Sequence, residues 1–380
     1  MATRVPNPYR PGFNQAPAAL AGRDSVLEAV AEALDVAALD GRTPRPLVLT
    51  GGRGVGKTVI LGEAAAIAAT EHSWLTVPIE IRPERPFTTQ LLERLAAARD
   101  LYRQAPPGKQ IEVTAATIKA SVLGIGGEVE VRRRATSTPE PALPLDAALA
   151  EVCEAALEHD AGLLITIDEL QLAAKPELGD FAATLQQHVP DAWPLVVIVA
   201  GLPSIRDTQR GVTYFERGEW HVLGPLDTTS TRLALEKPAD DAGRPMTADA
   251  VDQLATASGG YPYAIQLLGH HAWRASKGSD AIAASHVPAA IDATQSELAA
   301  GLYESRWQDA SPKEREYLAA LAELSATQDH VTGSEVAHAL GTQPKAVSYV
   351  RDRLIRKGTI YTEAERVRLA VPGMAQWIRR

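Results

Sequence analysis

The chain has 380 residues, of which 45% are hydrophobic and 22% charged, with a net charge of −9. That length exceeds one ordinary domain, so two or three compact units are expected. No apolar run approaches the roughly eighteen residues of a membrane span, Met1 to Asn14 lacks the apolar stretch of a signal peptide, and the cytoplasm is therefore the expected location. The single Cys153 excludes an internal disulfide framework and zinc sites built from paired cysteines. The acidic balance excludes a chain coated in positive charge for indiscriminate nucleic-acid binding, while leaving room for a local basic patch.

In chain order, apolar residues recur at helical spacing from Ala19 to Leu39, behind Gly22-Arg23-Asp24. A turn-rich entry leads to a strand at Leu47 to Thr50, a Gly-rich loop, an Ala-rich helix from Thr58 to about Thr70, and a strand from Trp74 to Ile81. The order β-loop-α-β is an α/β signature. Leu163 to Ile167 and Leu195 to Ala200 are unbroken apolar runs of the kind that form buried parallel strands, with helical sequence around Phe181 to His188 between them. Trp220 to Leu223 supplies a fifth strand. Between the second and third strands, about residues 104 to 144, the alternation of Ile111 to Val131 suggests an inserted hairpin, followed by the basic run Arg132-Arg133-Arg134.

The segment Gly51-Gly52-Arg53-Gly54-Val55-Gly56-Lys57-Thr58 fits G-x-x-x-x-G-K-[ST] directly after a strand and directly before a helix, the context in which that pattern cradles phosphates. Glycines let backbone N–H groups converge, the helix N-terminus adds its positive dipole end, Lys57 reaches the β- and γ-phosphates, and the Thr58 hydroxyl suits Mg²⁺. Asp168-Glu169 emerge where the third strand ends, so Asp168 is expected to hold the metal and Glu169 to orient the attacking water. The fourth strand runs into Gly201-Leu202-Pro203-Ser204, in which Ser204 is the nearest hydroxyl. His270-His271 point to different helix faces and read as ordinary helix histidines.

Residues 228 to 307 are helical in period and broken by Gly259-Gly260-Tyr261-Pro262, which suits a helical lid. Ser311-Pro312-Lys313-Glu314 and Thr332-Gly333-Ser334-Glu335 are capping boxes. Helices are expected at Pro312 to Leu324, Ser334 to Leu340 and Lys345 to Lys357, the last two at helix-turn-helix spacing, followed by a hairpin of Thr359 to Tyr361 and Arg366 to Val371. This is winged-helix order. Residues 311–380 carry an excess of three positive charges, so Lys345, Ser348, Tyr349, Arg351, Arg353, Arg366 and Arg368 form a candidate surface for duplex DNA.

Together, Gly22-Arg23-Asp24, the phosphate loop, Ile167-Asp168-Glu169, Gly201-Leu202-Pro203, Tyr214-Phe215-Glu216-Arg217, Gly260-Tyr261-Pro262 and the C-terminal winged helix resemble the AAA+ ATPases related to replication initiators, and STAND signalling NTPases share several of these motifs. The resemblance implies an α/β P-loop NTPase core at 19–227, preceded by an extension at 1–18 and followed by a helical lid at 228–310 and a winged-helix domain at 311–380. It implies ATP and Mg²⁺ as cofactors, a homo-oligomer or partner protein, Gly22 and Arg23 near the adenosine, and Pro262 against the base. Replication initiators usually carry an arginine in the lid motif, where this chain has Tyr261-Pro262-Tyr263, so an arginine finger is sought at Arg206, Arg210 or Arg217, of which Arg217 matches best. Three functions remain open: an ATP switch acting on DNA, a STAND-like signalling ATPase, and a nucleotide-dependent scaffold.

Overall fold

Three runs of apolar sequence become the centre of a parallel sheet in the computed structural model, which describes residues 5–12, 15–105, 143–205, 212–328, 330–363 and 365–380. They are β1 (Leu47–Gly51), β3 (Leu163–Asp168) and β4 (Leu195–Gly201), buried throughout except at Asp168, as strands covered on both faces must be. β2 (Leu75–Glu80) and β5 (Glu219–Leu223) close the edges in the order β2-β3-β4-β1-β5, all neighbours parallel. Being edge strands, both alternate or lighten in burial, and Val222 of β5 is 70% exposed. β4 thus stands between the strand that feeds the phosphate loop and the strand that ends in Asp168. The loop, the acid pair and Gly201-Leu202 therefore share one edge of the sheet, where parallel strands present ligand-binding groups.

Around this sheet lie α1 (Asp24–Ala38), α2 (Lys57–His72), α3 (Phe87–Gln104), α4 (Leu145–Leu157), α5 (Lys175–Gln187) and the short α6 (Thr213–Glu216). α3 packs along α4 and α1 along α2. α3 and α4 are not foreseen in the sequence reading, although Phe87, Leu91, Leu95, Ala98 and Tyr102 form a buried helical stripe. The first helix starts at Asp24, not Ala19. The hairpin expected around Ile111 to Val131, the basic run Arg132 to Arg134, and Arg206 and Arg210 lie outside the described residues.

The helices α7 (Thr228–Asp241), α8 (Ala248–Ser258), α9 (Pro262–Ala275) and α10 (Val287–Leu298) enclose a separate apolar cluster around Leu235, Leu254 and Leu268. Tyr9, 2% exposed, plugs into it. Its ring lies against Gly269, where a Cβ would stand 2.3 Å from the ring, and its hydroxyl donates to the Leu235 carbonyl. Asn7 Nδ2 donates to the His270 carbonyl at 3.1 Å, and the Arg10 N–H to Gln266 Oε1 at 3.0 Å. The N-terminal extension is in this way clipped to the outside of the lid.

α10 continues through a π-turn at Ala299–Tyr303 into α11 (Glu304–Asp309). Beyond it, α12 (Pro312–Leu324), α13 (Gly333–Ala339), α14 (Pro344–Arg356) and the antiparallel pair β6 (Ile360–Glu363) and β7 (Arg366–Leu369) follow the expected order within a residue or two, and a further short helix, α15 (Met374–Ile378), which the sequence does not predict, comes after them. A third cluster, including Tyr317, Leu321, Val336, Val350, Leu354 and Val367, holds this unit together. Val371 and Met374 instead join the core of the sheet. Among the described residues no helix is long and apolar enough to cross a membrane.

Glu314 closes the α12 capping box by accepting from the Ser311 N–H at 2.7 Å, and although 1% exposed it also meets Lys357 Nζ at 2.9 Å and Arg353 Nε at 3.1 Å. Burial alone would raise its carboxyl, but the Ser311 and Lys357 bonds outweigh burial and hold it below its ordinary value of 4.5. We expect Glu314→Ala to lower the unfolding free energy by about 1 to 2 kcal/mol at neutral pH, since the Ser311 N–H loses its cap while Arg353 and Lys357 still reach solvent. A depressed carboxylate stabilises while ionised, so this increment is present above pH 4.5 and lost as pH falls through the lower folded value. Urea titrations of wild type and variant should converge there.

Candidate nucleotide site

α2 begins at Lys57 behind Gly56, which has a left-handed backbone, and no side chain caps its first N–H groups. Those donors and the helix dipole form an anion-binding end. Lys57 itself is 7% exposed, and its ammonium donates to the carbonyls of Gly51 at 2.9 Å and Gly52 at 2.8 Å. Burial pushes the lysine below its ordinary value, and the nearby Asp168 and Glu169 carboxylates push it back.

The Thr58 hydroxyl donates to Asp168 Oδ2 at 2.5 Å, and the Glu169 N–H donates to Asp168 Oδ1 at 2.8 Å. Burial raises the Asp168 carboxyl, while these two bonds and the Lys57 charge oppose it. A hydroxyl and a desolvated carboxylate side by side are hard oxygen donors, and a divalent cation beside them would favour the ionised acid. Thr58 and Asp168 therefore fit Mg²⁺.

These groups open on a cleft of about 660 Å³ whose walls include Arg53 to Thr58, Asp168, Glu169, Arg23 and Pro262, with Arg10 and Gln15 from the N-terminal segment. Gly51 and Gly52 back the loop from behind, and Gly22 faces Ser230 of the lid. Arg23 Nη2 donates to the Val55 carbonyl at 3.1 Å and the Gly224 carbonyl at 2.7 Å, tying α1 to the loop and to the start of the lid connection. Arg217 does not line this cleft; it is an exposed residue just before β5.

Three contacts were not foreseen from the sequence. The Tyr261 hydroxyl donates to the Arg53 carbonyl at 2.7 Å, Gly358 in the α14–β6 turn rests against Gly52 and Arg53, and the Gln171 side chain bridges Glu169 and Leu202. The first two depend on tertiary approach and leave no local trace; Gln171 was findable, two residues beyond the acid pair.

The C-terminal candidates lie away from the cleft. Lys345, Tyr349, Arg353 and Arg368 are exposed, whereas Ser348, Arg351 and Arg366 are half-buried. Arg353 is engaged with Glu314, and Arg351 with Asp352 at 3.3 Å. The candidates least committed within the chain are Lys345 and Arg368.

The five-stranded order, the phosphate loop between β1 and α2, and the acid pair at the end of β3 coincide with a match of residues 19–198 to the family model of the AAA ATPase domain. The fold is the AAA+ P-loop fold. The chain is similar to Cdc6p from Pyrobaculum aerophilum, at 15% identity over 97% of this chain and 95% of that one, with a TM-score of 0.54. It is also similar to the Walker-type ATPase PABY2304 of Pyrococcus abyssi, at 17% identity over 93% and 95%, with a TM-score of 0.59. Residues 300–378 match a domain of unknown function, DUF8462. No curated protein matches the chain.

Replacing Lys57 by Ala removes the buried cation of the loop and is expected to weaken ATP binding by roughly 100-fold. Glu169→Gln keeps shape and hydrogen-bonding capacity and should bind ATP with wild-type order of affinity while turnover stops. Calorimetric ATP titration beside a phosphate-release assay checks both.

Proposed function

We propose that this AAA+ chain is a Mg²⁺-dependent, ATP-hydrolysing switch that couples its nucleotide state to duplex DNA through a C-terminal winged helix, acting in a homo-oligomer. The observation that carries the reading is the seat of Gly358 on Gly52 and Arg53, which sets the turn between α14 and β6 against the phosphate loop. Lys57 and the α2 N-terminus hold the phosphates, Thr58 and Asp168 hold the metal, and Glu169 orients water for in-line attack. The metal would supply charge neutralisation across the phosphates. Any rearrangement of the Gly52–Arg53 backbone is then felt by the lid at Tyr261 and by the C-terminal unit at Gly358, so the nucleotide that favours one packing favours one placement of α14.

The same contact supports a second reading, a STAND-like signalling ATPase whose winged helix restrains the nucleotide site and binds a protein. The engagement of Arg353 by buried Glu314 favours it, because that arginine is already used within the chain. Salt dependence separates the two. Each phosphate contact releases a condensed counterion, so duplex affinity should fall with salt, and Lys345→Ala with Arg368→Ala should flatten the slope by about one unit each while ATP binding is unchanged. Titrations in ATP and in ADP should differ in affinity. If wild type shows no salt-dependent duplex binding with either nucleotide, the DNA reading falls and the signalling reading replaces it.

Arg217, exposed before the edge strand β5, is the residue we assign as a finger toward a neighbouring subunit. Specific activity is expected to rise with protein concentration, and Arg217→Ala to reduce kcat by more than it raises KM. A concentration-independent rate with an unaffected variant removes the finger.

A further inference from the structure

Resting on the ATPase reading, we infer that Gln171 is the positioning residue for Glu169, fixing one oxygen of that carboxylate so that the other faces the water. Glu169 leaves β3 with a left-handed backbone (φ 57°, ψ 36°), a conformation uncommon for a side-chain-bearing residue. A single 3₁₀ turn, Leu170–Leu172, follows, pinned by fully buried Leu170. That turn brings Gln171 back toward the acid two residues before it. Gln171 Nε2 donates to Glu169 Oε2, and Gln171 Oε1 accepts from the Leu202 N–H at 2.9 Å.

The amide orientation is fixed by chemistry. Rotating it by half a turn would set its oxygen against a carboxylate and its NH₂ against a backbone N–H, losing both bonds. The end of β4 is shaped for this side chain: a Cβ on Gly201 would stand 2.6 Å from Gln171 Oε1, so glycine there is what admits the amide. Gln171 does not line the cleft, whereas Glu169 does. Gln171 therefore acts through Glu169.

A glutamate has three side-chain torsions, and its carboxylate rotates freely unless tied. Holding Oε2 from behind selects one orientation and leaves Oε1 to accept from water, which is the positional accuracy that base-assisted attack requires. A neutral amide does this without placing a second cation beside the acid, which would weaken it as a proton acceptor. Because the amide is anchored on Leu202, the carboxylate is registered against β4 as well as β3.

The test compares steady-state ATP turnover of wild type, Gln171→Ala, Gln171→Glu and the double variant Gln171→Ala/Glu169→Gln, with thermal midpoints for each. Removing an outer-shell partner of this kind is expected to lower kcat about tenfold, with KM for ATP unchanged. Gln171→Glu keeps the acceptor for Leu202 and nearly the same volume but turns a negative charge on Glu169, so kcat should fall at least as far with the fold intact. In single-turnover measurements, Gln171→Ala should add nothing to the loss already caused by Glu169→Gln, since the two act as one unit. A merely structural role at the end of β4 would instead lower the rate in both backgrounds together with the midpoint. An unchanged or increased kcat in Gln171→Ala, or additive losses in the double variant, overturns the inference alone. A wild type with no ATP turnover overturns the ATPase reading and this inference together.

Discussion

A buried ammonium needs oxygen partners, and the path of the chain around Lys57 follows from that need. The carbonyls of Gly51 and Gly52 turn inward to the lysine, and α2 starts without a side-chain cap. A loop so constrained has a defined outer surface. The lid docks on it through Tyr261 and the C-terminal unit through Gly358. One short segment is thus the common floor for groups drawn from three parts of the chain.

The apolar packing reinforces that convergence. Tyr261, Leu267 and Leu298 of the lid, Tyr303 of the π-turn, and Val371 and Met374 near the C-terminus all belong to the cluster that fills the sheet. The Tyr303 hydroxyl also donates to the Pro372 carbonyl. Displacing either the lid or the last helix therefore exposes apolar surface of the core, at roughly 25 cal/mol per Å². The placement of these units relative to the sheet is stabilised by burial, with the polar contacts at the loop supplying direction.

The parts legible in the sequence are those whose signal is local. The phosphate loop declares itself because glycines, lysine and threonine must sit at fixed spacing between a strand and a helix. The central strands are readable because parallel strands buried on both faces are apolar without interruption, and the capping boxes at Ser311 and Thr332 mark helix starts within a residue or two. Two helices between β2 and β3 went unassigned, although α3 carries a stripe at helical spacing. Contacts that join distant residues were illegible for a physical reason: Tyr261 and Arg53, or Gly358 and Gly52, meet through packing of whole units. The end of β4 carries no polar side chain before Ser204, and the fold sets Gln171, from the turn after the neighbouring strand, against its Leu202 N–H.

The clipping of Tyr9 into the lid has a mechanical consequence. Tyr9 precedes α1 in the chain, and α1 belongs to the sheet layer, so the lid is held to the core chain by the covalent segment between β5 and α7 and, non-covalently, by its socket for Tyr9. A body attached at one point swivels in any direction, whereas a body attached at two turns about the line through them. As long as the tyrosine stays in its socket against Gly269, this second tether narrows the directions in which the lid can turn relative to the core.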